Sequence, residues 1–384
     1  MIKSNLQRRG YIYLALILAL VLFQFVPNKA LASEDKVSSV IPKSATQFVD
    51  EKYKDIMEVV KSYKSDFNVK SDDLNNITVG EPFVIYDLDQ TSQDEIYYYP
   101  VLNGKNKVIL NLSITGTTNG WGLSASEEMV KELNKIDYTT EDYIFYESND
   151  NIIAESSDEV INLSGIESEK CRKFQAYDFH EKEKIISGVV KKFLKTDPSD
   201  KKHKNMSKDK YTPSYSESTN TSKVCSLYNS KGQGSYADCW AAVVATIANY
   251  RNGTNITPTQ VCDFMNIGYN DGGDTYDAQS ALSHYGVYLN EIFAPLSWSS
   301  ITYNLDNKYP SYASCKDNYG NGHAITVYGY TWVNVNQFIR IWNPGLNSGS
   351  GGFQVIYYYP TGTTISYNNK TWTWTYSLCW IYLG

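Results

Sequence analysis

Between Thr196 and Lys223 the chain carries almost nothing that a core can use: a run from Asp197 to Lys210 is Asp-Pro-Ser-Asp-Lys-Lys-His-Lys-Asn-Met-Ser-Lys-Asp-Lys, and Ser216 to Lys223 is Ser-Glu-Ser-Thr-Asn-Thr-Ser-Lys. A tract this polar cannot bury enough apolar surface to offset the entropy of ordering it, so it reads as a flexible linker. Its lysines suit trypsin-like cutting, which makes it a candidate activation segment. It divides the 384 residues into a segment of residues 33–195 and a segment of residues 224–384, each long enough to bury a core.

Ahead of the first segment, Lys3, Arg8 and Arg9 precede an apolar run from Tyr11 to Val26, and Ala30-Leu31-Ala32 places small residues where a signal peptidase needs them. Residues 1–32 are therefore expected to be a signal peptide, the exported chain beginning near Ser33 and keeping no stable membrane association afterwards. In that exterior the six cysteines (Cys171, Cys225, Cys239, Cys262, Cys315, Cys379) are free to pair, with a connectivity that spacing leaves open. No Cys-x-x-Cys or Cys/His set has zinc spacing, so no metal and no cofactor is expected. A formal net charge of -7 argues against nucleic acid as a partner, because phosphate binding needs a concentrated basic surface.

The first segment reads as an antiparallel sheet with helices against it. Thr46 to Phe67 has helical periodicity; Pro82 to Asp87, Glu95 to Leu102, Lys107 to Thr115, Tyr143 to Tyr146 and Asn151 to Ala154 are strand-like. Asn103-Gly104 predicts a hairpin between two of these strands. Ser124 to Ile136 is expected to be helical, with Ser124 and Glu127 forming a capping box. His180 lies in a charged stretch and reads as solvated, so this segment offers no catalytic set.

In the second segment helices come first and strands later, an α+β layout. Thr257 caps a helix that starts at Pro258, and Thr275 to Tyr285 is a helix closed by Gly286. Gly322 to Tyr330, Phe338 to Asn343, Gly352 to Tyr359 and Trp372 to Leu383 are strands. The first helix follows Gln233-Gly-Ser-Tyr-Ala-Asp-Cys239-Trp240-Ala-Ala-Val-Val-Ala-Thr-Ile, and its bulky residues recur at helical spacing. Cys239 thus sits in a first turn, where unpaired N–H groups and aligned dipoles favour a thiolate.

A thiol that attacks an amide needs a base, and the base needs an orienting acceptor. Downstream of Cys239 only His284 and His323 are available; His284 lies on a helix face, whereas His323 opens a strand after Gly320-Asn-Gly322. Asn343 ends another strand and is placed to accept the second ring N–H of His323. The order Gln233, Cys239-Trp-Ala, His323-Ala and Asn343 resembles that of papain-like cysteine peptidases, and the 84 positions between Cys239 and His323 (323 minus 239) resemble the compact secreted bacterial members such as the staphopains and streptopain.

The resemblance implies a papain-like catalytic domain preceded by an α+β propeptide domain, a zymogen in which the N-terminal domain is the chain's own intramolecular inhibitor. Its substrates would be polypeptides, hydrolysed by a Cys239-His323-Asn343 triad with the Gln233 amide and the Cys239 backbone N–H as oxyanion hole. Two departures stand out. Asp238 precedes the nucleophile, and a carboxylate there raises the thiol pKa unless it turns away or caps the helix. The tryptophan that papain places after its Asn is missing, leaving Trp342 or Trp380 as candidates to cover Asn343. A cell-wall amidase on the same scaffold, or a non-catalytic secreted binding protein that uses the 33 tyrosines as contact surface, are the alternative readings.

Overall fold

The computed structural model describes residues 41–87, 96–117, 120–136, 143–148, 151–156, 159–164, 221–360 and 362–384. The expected signal peptide, Cys171, His180 and residues 196–220 of the expected linker lie outside the described residues. The architecture is mixed α+β, with large antiparallel sheets.

Helix α1 (Lys43–Ser62) buries Val49, Ile56, Val59 and Val60 on one face, as its periodicity requires. It stops earlier than Phe67 because Tyr63 leaves helical geometry, and a 3-10 turn over Lys64–Phe67 ends at left-handed Asn68. Short strands β1 (Thr78–Val79), β2 (Phe83–Val84) and β3 (Tyr86–Asp87) lead into the longer β4 (Ile96–Leu102), β5 (Val108–Thr117) and β6 (Gly120–Ser126). The β4–β5 connection is built on Asn103, whose Oδ1 accepts the backbone N–H groups of Lys105 and Lys107 at 2.9 and 3.0 Å.

The helix expected over Ser124–Ile136 is not formed: Ser124, Ala125 and Ser126 belong to β6, and only α2 (Val130–Leu133) is helical. These three residues pair with β5 on one side and with β15 (Gly352–Tyr357) on the other. Cross-strand hydrogen bonding at both edges outweighs a local capping signal. Strands β7 (Ile144–Ser148), β8 (Asn151–Glu155) and β9 (Val160–Asn162) form a second sheet with β3.

The second segment begins with β10 (Thr221–Val224), paired with β13 (Gly322–Val333), so residues 221–223 of the expected linker are strand. Helix α3 (Cys239–Asn252) follows, buried nearly all round from Trp240 to Asn249, which suits its alanines and β-branched residues to a central position. Gly253, left-handed at φ 68°, closes it. Asn249 gives both amide hydrogens to Asn229 O and Ile256 O and accepts from Ile256 N and Thr254 Oγ1, tying the flanking loops to the helix.

Helix α4 (Pro258–Met265) has the Thr257 cap the sequence predicts, completed by Gln260; α5 (Thr275–His284) is capped by Asp274. The remaining elements are β11 (Asn290–Ile292), α6 (Trp298–Asp306), β12 (Ser311–Lys316), β13, β14 (Asn336–Asn343), α7 (Leu346–Gly349), β15, β16 (Thr364–Tyr367) and β17 (Lys370–Cys379).

The main sheet runs β1-β4-β5-β6-β15-β14-β13-β12-β17-β11 without a break, so the β6–β15 pair joins the two segments edge to edge. One hydrophobic cluster combines α1, β4 and β5 with Val333, Phe338 and Val355 of the second segment. Fully buried Arg340 on β14 pairs with Asp66, shares it with Tyr328 Oη (2.6 Å to Asp66 Oδ2), and carries its guanidinium 3.4 Å above the Tyr63 ring. Residues 41–384 group as one compact unit, in which each segment also keeps a hydrophobic cluster of its own.

Candidate active site

Cys239 is the first residue of α3, and its thiol lies against the backbone N–H of Ala324, the residue after His323 on β13. A helix start and a strand start from distant parts of the chain thereby meet. The His323 ring is buried, and its Nε2 lies 2.9 Å from Asn343 Oδ1 at the end of β14. Gly345 N donates to the same oxygen at 3.0 Å, while Asn343 Nδ2 donates to Gln354 Oε1 at 3.0 Å. With the amide held this way, Nε2 carries the imidazole proton and Nδ1 is left as the basic nitrogen.

Tyr367 stacks on the His323 ring at 5.0 Å and Trp372 leans on it at 5.1 Å. These contacts are with the His323 ring, whereas Trp342 or Trp380 was expected over Asn343. Trp342 cannot cover Asn343, because successive strand residues face opposite sides; it packs on Phe353 and donates Nε1 to Lys231 O. Trp380 stacks on Tyr309 instead. His284 is exposed and stacked on Phe264, away from this cluster, as a helix-face residue should be.

Gln233 lies in the loop ahead of α3, which is clamped to the turn after Asn343 by Gln233 N to Pro344 O and Gly234 N to Gly349 O. Its Nε2 donates one hydrogen to Tyr236 O at 3.0 Å, and its Oε1 is buried without a partner. Asp238 occupies the cap position of α3, yet its side chain makes no capping bond; it is buried with Oδ1 unpartnered. Burial pushes its carboxyl up to about 6.

Burial dominates at Cys239 as well, pushing the thiol up to about 11; the N–H groups of Ala324 and Trp240 oppose this and the Asp238 charge adds to it. The His323 imidazole is held down to about 4 by burial, against the Asn343 hydrogen bond. Burial thus favours the uncharged form of each group, a thiol at Cys239 and a neutral imidazole at His323, against the thiolate that an exposed helix start would favour. The five described cysteines are all free thiols.

A cleft of about 950 Å³ opens beside this cluster. Gln233, Tyr236, Gly345 and Tyr367 line one side; Glu127, Glu128 and Ser164 of the first segment line the other. Glu128 Oε1 accepts from Asn368 N at 2.7 Å, and Ser348 Oγ donates to Ser164 O at 2.7 Å. Burial pushes Glu127 and Glu128 up to about 7, Asn368 N–H opposing and Glu147 reinforcing the shift at Glu128.

Sequence reasoning missed Gln354, Tyr367, Trp372 and Gly273. Gly273 rests on the Trp240 indole so closely that a Cβ would stand 2.5 Å from the ring, and the Gly272-Gly273 pair is the only local sign of that approach. Gln354 left one trace, a lone amide in an otherwise apolar strand. Neither a protein-family model nor a curated protein sequence matches the chain.

Proposed function

We propose that this chain is a papain-like cysteine endopeptidase, exported as a latent precursor whose N-terminal segment is its own inhibitor. The observation that carries the reading is the buried His323 Nε2 to Asn343 Oδ1 hydrogen bond, which leaves Nδ1 of an uncharged imidazole basic at the strand end where the Cys239 thiol sits. An inert core cysteine needs no such arrangement.

In the reaction, His323 Nδ1 takes the thiol proton as Sγ bonds to the peptide carbonyl carbon. The carbonyl oxygen becomes an oxyanion, and the Cys239 N–H and the Gln233 amide hydrogen not used on Tyr236 O are the donors assigned to it in this reading. His323 then gives its proton to the leaving nitrogen, the C–N bond breaks, and a thioester remains. Water, deprotonated by His323, adds to that thioester; the C–S bond breaks and the sulfur recovers its proton. The imidazolium formed midway is stabilised by the Asn343 carbonyl.

Latency is supported by the Glu127–Glu128 wall of the cleft and by the burial that keeps both Cys239 and His323 uncharged. Opening the cleft to water relieves the same penalty that raises one pKa and lowers the other, which moves the pair toward thiolate and imidazolium.

The test is hydrolysis of casein by the chain after mild trypsin treatment, compared with Cys239→Ala. Loss of all turnover in the variant with an unchanged melting temperature supports the reading. Turnover that survives the substitution refutes it, and hydrolysis of peptidoglycan but not casein would move the activity to a cell-wall amidase.

A further inference from the structure

We infer that Gln354 is a positioning residue of the triad, fixing which way the Asn343 amide faces and thereby which nitrogen of His323 carries the proton. The inference rests on the peptidase reading of Cys239, His323 and Asn343. Gln354 lies on β15, fully buried, in a strand flanked by β14, which ends in Asn343, and by β6, and its side chain reaches Ser366 on β16.

Its two polar atoms are both used: Oε1 accepts from Asn343 Nδ2 at 3.0 Å, and Nε2 donates to Ser366 O at 3.0 Å. A buried amide is costly unless both ends are satisfied, and at this point of an apolar strand a methionine would fill the space without that requirement. What the amide adds is direction. Ser366 O can only accept, so it fixes the Gln354 nitrogen; the Gln354 oxygen then faces Asn343 and fixes its nitrogen; the Asn343 oxygen is left for His323 Nε2–H.

Reversing the Asn343 amide would point an N–H at Nε2. The imidazole would have to carry its proton on Nδ1 and could no longer take one from the thiol. The Gly345 N–H also holds the Asn343 oxygen, so Gln354 is one of two constraints on the same group. When His323 becomes imidazolium, the aligned Gln354 and Asn343 carbonyls both point toward the new charge, and a hydrogen-bonded chain of this kind strengthens as it polarises.

The experiment compares the full chain with Gln354→Met and Gln354→Glu, using nitrogen-15 spectra of its four histidines and peptide hydrolysis after trypsin treatment. The unsubstituted protein should show His323 protonated at Nε2. Gln354→Met should show a mixture of tautomers and a kcat lower by about tenfold to a hundredfold with KM unchanged. Gln354→Glu, kept protonated by burial so that its hydroxyl donates to Ser366 O while its carbonyl accepts from Asn343, should stay at Nε2–H and within a few-fold of the parent kcat.

A methionine variant that melts like the parent with tautomer and kcat unmoved overturns the inference. If that variant does not fold, the parent spectrum still decides, because Nδ1–H on His323 is incompatible with the proposed orientation. Parent protein that hydrolyses no peptide and yet shows Nε2–H refutes the peptidase reading while leaving the amide relay standing, so the two failures are distinguishable.

Discussion

Removing the charge of Asp66 tests whether the first segment is locked onto the second. Asp66 is the carboxylate partner of Arg340, which is fully buried with Nε and Nη1 lacking protein partners. Asp66→Asn preserves shape and one acceptor but removes the compensating charge, leaving the guanidinium among neutral partners such as the Tyr328 hydroxyl, at 2.9 Å, and the Tyr63 ring. Breaking one side of a buried ion pair costs about 3–5 kcal/mol. The Asp66 side chain is 20% exposed, so water already screens part of the interaction and the lower end, about 3 kcal/mol, is expected.

For a unit of this size, with an unfolding entropy of about 2.1 cal/mol/K per residue, that loss lowers the melting temperature by roughly 4 °C. The measurement is a thermal melt of the full chain in a Cys239→Ala background, so that the proposed peptidase activity plays no part in it. Because Asp66 and Arg340 lie on different segments, the same 3 kcal/mol weakens their mutual contact and raises the population with the first segment lifted by about two orders of magnitude. Replacing both residues, as Asp66→Leu with Arg340→Met, should recover most of the stability, since apolar substitutes for buried pairs are often neutral. A shift below 1 °C for Asp66→Asn, or a double variant no more stable than the single, would refute the account of the lock.

Two further expectations concern pH. With its thiol near 11, Cys239 in the intact chain should be alkylated by iodoacetamide at a rate that climbs about tenfold per pH unit between 7 and 9, and the profile should flatten once the first segment is removed; a flat profile in the intact chain contradicts the uncharged pair. Glu128 is raised from its ordinary value of 4.5 to about 7, so its packed, protonated form contributes stability that is fully present below 4.5 and is lost as pH rises through 7. Glu128→Gln, which keeps an acceptor for Asn368 N–H, should make the melting temperature less sensitive to pH between 5 and 8, and an unchanged slope would show that burial at this carboxylate does not set it.

Local signals were legible and non-local ones were not. Thr257, Pro258 and Gln260 announce α4 because a capping box is made within one turn. A meeting of Cys239, His323 and Asn343 could be expected from the sequence because cysteine and histidine are scarce residue types there and their chain order is restrictive; the structure brings His323 onto Asn343 and Cys239 onto the backbone beside His323. Ser124 to Ser126 misled because helix caps and strand edges both favour small hydroxyl residues, and the deciding partner, Gln354 to Ile356, lies over two hundred positions away. The cover over Asn343 was expected from Trp342 or Trp380; strand alternation turns Trp342 away, and the aromatics that reach this place from other strands, Tyr367 and Trp372, lie on the His323 ring. The burial that leaves the thiol protonated was equally hidden, since a helix start read alone argues for the opposite charge state.

The β6–β15 pairing, which uses Ser124 to Ser126 against Gln354 to Ile356, implies that cutting the covalent connection does not by itself part the molecule. A nicked chain would elute as one particle, held by main-chain hydrogen bonds and a common interior. Actual departure of the N-terminal piece would bare a raw sheet border on the C-terminal piece, one strand from Asn343, and such a border invites any extended polypeptide to dock along it.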